Sequence, residues 1–124
     1  MGDPQITVWL VDDTESVRKA LRAVLGTANI AVRDFGSAEA FLQEFVIGAS
    51  GCLVVDHHMP GMTGLELLQH LQARKIHMPA FLITANPDDS LERYALAAGA
   101  IALFKKPIDG EELIISVERA SLAA

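Results

Sequence analysis

Short apolar runs in this chain repeatedly stop on a polar residue and hand over to a helical pattern. Ile6-Thr7-Val8-Trp9-Leu10-Val11 stops at Asp12-Asp13, Leu53-Val54-Val55 at Asp56, Ala80 to Ile83 at Thr84, and Ala100 to Phe104 at Lys105-Lys106-Pro107. Near-continuous apolar runs of this length read as strands covered on both faces. Ile30 to Phe35 is a further strand, more polar and therefore expected at an edge. Strands alternating with helices across short connections call for one parallel sheet with right-handed crossovers and helices on both sides. In such a sheet every strand's C-terminal end lies on one rim. Asp12-Asp13, Asp56, Thr84 and Lys106 should therefore converge where open α/β sheets place their ligands.

The intervening segments carry their own start and stop signals. Val17, Leu21, Val24, Leu25 and Ala28 fall at helical spacing after Thr14, opposite Arg18, Lys19 and Arg22. Ser37 is a candidate N-cap for a helix with Phe41, Leu42 and Phe45 inward, ended by Gly48 to Ser50. After the Pro60-Gly61 turn, Thr63 and Glu66 have capping-box spacing for a helix with Leu67, Leu68 and Leu71 inward. Pro87 suits the first turn of the next helix, which buries Leu91, Ala95 and Ala98 and stops at Gly99. Asp109 and Glu112 open a last helix lined by Leu113, Val117 and Ala120. Met1 to Gln5 reads as a polar, frayed end, and no length is left for a linker, a repeat or a second domain.

A chain of 124 residues has the length of one domain able to bury a sizeable core without disulfides or structural metals. The formal net charge is -6 and no basic stripe exists, which argues against nucleic-acid binding by this chain. Its one cysteine, Cys52, lies inside an apolar strand and is expected to be a buried hydrophobe. Neither an export leader nor a membrane-length apolar run is evident, so no membrane partner is expected and the cytoplasm is the default location.

Carboxylates gathered at one rim repel unless a cation sits among them, and an all-oxygen set favours Mg²⁺, with Mn²⁺ as a substitute. A lysine and a hydroxyl beside that ion can hold the remaining oxygens of a transferring phosphoryl group. Asp56, on a rigid strand end facing a Pro/Gly loop, is the expected acceptor. His57, His58, His70 and His77 contain zinc-type ligand atoms. The first two are expected to point in different directions and the others belong elsewhere, so a histidine metal site is not expected.

The ordered set Asp12-Asp13, Asp56, Thr84-Ala85 and Lys106-Pro107 resembles the receiver domain of two-component response regulators, and the resemblance covers essentially the whole chain. Asp56-x-x-Met59-Pro60-Gly61-Met62-x-Gly64 and Ala98-Gly99-Ala100 add to it. The segments VDDTESVRKAL, SAEAFL and ERAS are similar to the FixJ-type transcriptional branch. The resemblance implies a flavodoxin-like (βα)5 doubly wound, five-stranded parallel sheet of order 2-1-3-4-5, with residues 1–124 forming one receiver domain. It implies phosphoryl transfer from a sensor histidine kinase to Asp56. Mg²⁺ would be held by Asp13, Asp56 and the backbone carbonyl of His58, with Asp12 acting through water. Lys106 would pair with Asp56, Thr84 would donate to the phosphoryl oxygen and swing inward, and Ala85 would leave room beside it. His58 and Asn86 would tune hydrolysis, and the Lys106-Pro107 bond would be cis. Such a domain is a switch and not an enzyme acting on other substrates.

The output implied is a change in the face made by the fourth helix, fifth strand and fifth helix, with phosphorylation-promoted homodimers. A DNA-binding output domain would follow in a longer protein, the alternatives being a stand-alone receiver or a hybrid kinase. Leu103 departs from the family, which usually has Tyr or Phe there, and Phe104 faces the opposite way. An Mg²⁺-dependent phosphatase with an aspartyl-phosphate intermediate is the competing reading; that type carries Asp-x-Asp and a substrate cap, and this chain has adjacent aspartates and no length for a cap. A flavodoxin-like mononucleotide binder would need hydroxyls and glycines where Asp12-Asp13 stand.

Overall fold

The computed structural model describes residues 6–123; the expected frayed end at residues 1–5 lies outside the described residues. The elements alternate as β1 (Thr7–Val11), α1 (Glu15–Gly26), β2 (Ala31–Phe35), α2 (Ala38–Glu44), β3 (Cys52–Asp56), α3 (Gly64–Ala73), β4 (Ala80–Thr84), α4 (Asp89–Ala97), β5 (Ala102–Lys105) and α5 (Gly110–Ala123). All strand pairs are parallel and the sheet order is β2-β1-β3-β4-β5, as expected. Successive side chains of each strand part to opposite faces. Val8, Leu10, Cys52, Val54, Phe81, Ile83 and Phe104 meet α1 and α5, whereas Trp9, Val11, Leu53, Val55, Ala80 and Leu82 meet α2, α3 and α4. The central strands β3 and β4 are buried throughout, and β2 at the edge is mostly half-exposed.

Beside α2 the core is aromatic. Trp9 stacks on Phe35 with ring centroids 6.2 Å apart and meets Phe41 and Phe45 edge to face. The indole Nε1 donates to the Ser50 carbonyl at 3.1 Å, which satisfies its one polar group. Gly51 is required here: at φ +137, a Cβ would lie 2.6 Å from the Thr7 carbonyl oxygen and 2.7 Å from the indole nitrogen.

The caps at Ser37 and Asp109 form, and Thr63 and Glu66 make a reciprocal capping box. Several boundaries differ from expectation, and three of them have identifiable causes. The second helix ends at Glu44 and not at Gly48, because the Phe45 backbone is extended while its ring joins the Trp9 cluster. The fourth helix starts later than Pro87. Asp88 is its N-cap, with an extended backbone and a carboxylate accepting from the Leu91 N–H at 2.7 Å, so Pro87 lies one residue before the cap and outside the helix. The fifth strand begins at Ala102 and not at Ala100, since Ala98, Gly99 and Ala100 close α4, with Gly99 at φ +101 and the Ala100 N–H returning to the Ala95 carbonyl.

Candidate functional site

The strand ends meet at one rim. Asp12 and Asp56 terminate the adjacent strands β1 and β3, and both are buried, at 0% and 3% exposure. Asp13 is exposed beside them, and one carboxylate oxygen from each of Asp12, Asp13 and Asp56 lies within 4.8 Å of the others. From the end of β5, Lys106 reaches across, its Nζ 2.9 Å from Asp12 Oδ2 and 3.3 Å from Asp56 Oδ2. The lysine expected to pair with Asp56 thus pairs with both carboxylates and lies nearer Asp12. The Lys106-Pro107 peptide is cis.

Asp12 is tied at several atoms. Its N–H donates to the Phe35 carbonyl at 3.0 Å, its Oδ1 accepts the Thr14 N–H at 2.9 Å, and its carbonyl accepts Arg18 Nη1 at 2.7 Å. Arg18 Nε also donates to Asp34 Oδ2 at 3.0 Å, and Asp34 Oδ1 accepts Arg22 Nη1. Arg18 and Asp34 were not singled out by the sequence reading. Arg18 sits on the polar stripe of α1, and only the register that sets Asp34 beside Leu10 brings the two together.

Burial, reinforced by the Asp12 charge, raises the Asp56 pKa above the ordinary carboxylate value, while Lys106 and the His58 backbone N–H pull the other way. Burial would lower the Lys106 ammonium, but its close ion-pair contacts with the Asp12 and Asp56 carboxylates outweigh it and its pKa is raised. Asp12 Oδ2 is buried, has the ammonium as an ion-pair partner, and among the described residues has no well-directed hydrogen-bond donor. A hard divalent cation fits this site. The donors are all oxygen, two carboxylates are buried, and a single ammonium offsets the cluster.

Next to these groups the rim is looser. Thr84 is buried at the end of β4, and its Oγ1 accepts the Asn86 N–H at 3.2 Å. Ala85, Asn86 and Pro107 are exposed, as is His58 at the mouth. Leu103 packs on the α2–α4 face and Phe104 on the other, so the ring at 104 does not substitute for the absent one at 103.

The histidines differ from expectation in one respect. The His57 and His58 rings meet edge to face with centroids 4.9 Å apart instead of diverging, because the strand ends at Asp56 and its alternation ends with it. His57 Nδ1 is buried with no partner among the described residues, and burial, aided by His58, lowers its pKa. Among the described residues Asp12, Asp13 and Asp56 are the only group placed to hold a metal, and no histidine belongs to it. Burial pushes the Cys52 thiol up to about 12, consistent with a core role.

The response regulator receiver domain model matches residues 8–118. The transcriptional regulatory protein FixJ of Rhizobium meliloti (strain 1021) is 42% identical over 115 residues, covering 93% of this chain and 56% of that protein. The response regulator protein TmoT of Ectopseudomonas mendocina is 33% identical over 120 residues, covering 97% of this chain and 54% of TmoT. The chain thus spans about half the length of these curated relatives. The crystal structure of FixJ-N superposes with a TM-score of 0.86 at 40% identity, covering 100% of this chain and 98% of that one. The response regulator StyR superposes at 0.87 with 38% identity, covering 94% of this chain and 59% of StyR. A sheet that gathers acidic strand ends and a lysine at one rim and a family match across nearly its whole length agree: the chain belongs to the response regulator receiver domains of two-component systems, of the FixJ type.

Proposed function

We propose that Asp56 is the phosphoacceptor of a Mg²⁺-dependent switch and that the donor is a phosphohistidine of a sensor kinase. The observation that carries this reading is a buried carboxylate within 3.3 Å of an ammonium, inside a three-carboxylate cluster. In the transfer an Asp56 carboxylate oxygen forms a bond to phosphorus as the phosphorus–nitrogen bond breaks, and the departing imidazole keeps the electron pair and is protonated by solvent. Lys106 compensates charge on the phosphoryl oxygens, and Thr84 gives up its bond from Asn86 to donate its hydroxyl there. Asp13, Asp56 and the His58 carbonyl would hold Mg²⁺, with Asp12 acting through water, and the bound ion would supply neutralisation of charge on the non-bridging oxygens. Mn²⁺ is a chemically similar substitute. Ala85 leaves space at the mouth, and His58 and Asn86 set access of water to the acyl phosphate.

The output surface is formed by α4, β5 and α5, where Tyr94, Ile101 and Ile115 are exposed among Arg93, Glu118 and Arg119. That mixture suits a modest, switchable homodimer. The length of the relatives and the words "transcriptional regulatory protein" in their names support a DNA-binding output domain joined to this receiver in a longer cytoplasmic protein. Among the described residues no helix is long and apolar enough to cross a membrane.

Incubation with acetyl phosphate and Mg²⁺ should add one phosphoryl mass, read by intact-mass spectrometry. Chelation of Mg²⁺ or Asp56→Asn should abolish the addition; equal labelling of Asp56→Asn would overturn the assignment. Beryllofluoride should shift sedimentation toward a dimer, and an unchanged species would exclude phosphorylation-driven association through this face.

A further inference from the structure

Arg18 stands outside the acidic cluster yet touches its scaffold. Nη1 donates to the Asp12 carbonyl at 2.7 Å while Nε of the same guanidinium donates to Asp34 Oδ2 at 3.0 Å. Asp34 is held in turn by Arg22, and the neighbouring Phe35 carbonyl accepts the Asp12 N–H at 3.0 Å. The end of β1 is therefore gripped through its backbone from β2 and from α1.

We propose that Arg18 is a positioning residue for the cation site, acting through the Asp12-Asp13 peptide. That peptide is planar, so fixing the Asp12 carbonyl fixes the plane that carries the Asp13 N–H and Cα, and with it the direction from which the Asp13 carboxylate starts. Asp13 is exposed, and among the described residues its one hydrogen-bond partner is the Thr14 hydroxyl at 3.4 Å, so its aim depends on its backbone. A rigid planar fork can hold two acceptors at a set angle, which a lysine ammonium on a flexible stem cannot do as well. Groups that orient metal ligands without touching the metal are typically worth about 10–100-fold in affinity. The simpler reading is that Arg18 and Asp34 only fasten α1 to β2. Arg22 separates the two: it shares Asp34 and lies on the same helix but has no bond to Asp12.

The inference rests on the proposed Mg²⁺ site, and one experiment distinguishes their failures. MgCl2 is titrated at constant ionic strength into wild type, Arg18→Ala, Arg18→Lys and Arg22→Ala, following backbone amide shifts at the rim by NMR. Phosphorylation by acetyl phosphate is measured at saturating Mg²⁺. Arg18→Ala should bind Mg²⁺ about 10-fold more weakly and Arg18→Lys should fall between it and wild type. Arg22→Ala should stay within about twofold of wild type. Phosphorylation at saturating Mg²⁺ should be nearly equal in all four, because the acceptor and Lys106 are untouched. A folded Arg18→Ala with wild-type Mg²⁺ affinity would overturn the role, as would an Arg22→Ala loss of the same size. If Arg18→Ala does not fold, wild-type affinity in Arg18→Lys overturns it equally. A wild-type protein with no saturable Mg²⁺ shift would instead remove the metal site, and this inference with it.

Discussion

The rim has two halves built to different standards. Around Asp12 and Asp56, both backbone polar atoms of Asp12 are bonded, its carboxylate is met by Thr14 and Lys106, and the neighbouring carboxylate shares the same lysine. Around Thr84 the hydroxyl accepts one hydrogen bond among the described residues, from the backbone N–H of Asn86, and residues 85–90 are exposed until α4 settles onto the sheet. Segments that move in switching come from the part of a fold with fewer buried contacts and fewer bonds. The contrast fits the proposed reading, in which one half would fix where charge arrives and the other would be free to respond.

The largest expected effect comes from breaking the fixed half at its base. A Cβ on Gly64 would lie 2.4 Å from the Asp56 carbonyl oxygen and 2.7 Å from Leu82 Cδ1, so helix and strand would have to separate. Gly64→Ala should cost about 3 kcal/mol in urea melts. Lys106→Ala comes next. It leaves the two buried carboxylates without their shared ammonium, which should cost about 2 kcal/mol in the absence of Mg²⁺, most of it recovered on adding Mg²⁺. The variant should still fold and accept some phosphoryl groups, but its NMR spectrum should no longer change on phosphorylation, because the contact that would distinguish the two states under the proposed function is gone.

Asp56→Asn should stabilise the protein by about 0.5–2 kcal/mol at neutral pH, a gain set against lost function. Its sign follows from the raised pKa. The folded state holds the Asp56 proton more tightly than the unfolded chain, so the stability Asp56 contributes is full below the unfolded carboxylate value and is lost as pH rises through the folded value. The difference between variant and wild type should therefore open with rising pH and level off above the folded value; a difference independent of pH would contradict it. The smallest effect tests the responsive half. Leu103→Tyr, at a half-buried position, should change stability by no more than about 1 kcal/mol. It should widen the gap in dimer formation with and without beryllofluoride, since a ring with a hydroxyl separates inward from outward packing more than leucine does. An unchanged gap would clear Leu103 of any part in the coupling.

Much of the fixed half was readable before any coordinates. Strand ends are announced by the switch from apolar to polar residues, and the caps at Ser37, Thr63 and Asp109 by spacing alone, because these depend on near neighbours in the chain. Features that depend on distant neighbours were not readable. The choice of Asp12 as the nearer partner of Lys106 needs β1, β3 and β5 set at their real separations. The Arg18 bond to the Asp12 carbonyl and the Asp34 link that steadies it need the register of β1 on β2. The early end of α2 is dictated by Phe45 turning toward Trp9, which outweighs the helix-breaking glycine three residues later. The His57 and His58 rings meet because strand geometry had already ended, a boundary that strand alternation alone does not reveal.

The indole at position 9 also makes the molecule unevenly visible to light. It is the single tryptophan in the chain, buried among Phe35, Phe41 and Phe45 on β1, with β3 and β4 between it and β5 and so about 14 Å from β5 across the sheet. Its emission should follow the loss of the β1–α2 quarter and respond little to rearrangement at Leu103 or α4. A fluorescence melt would then report the fixed half alone, and a far-ultraviolet dichroism melt that departs earlier would reveal α4 loosening while the tryptophan remains dark to it.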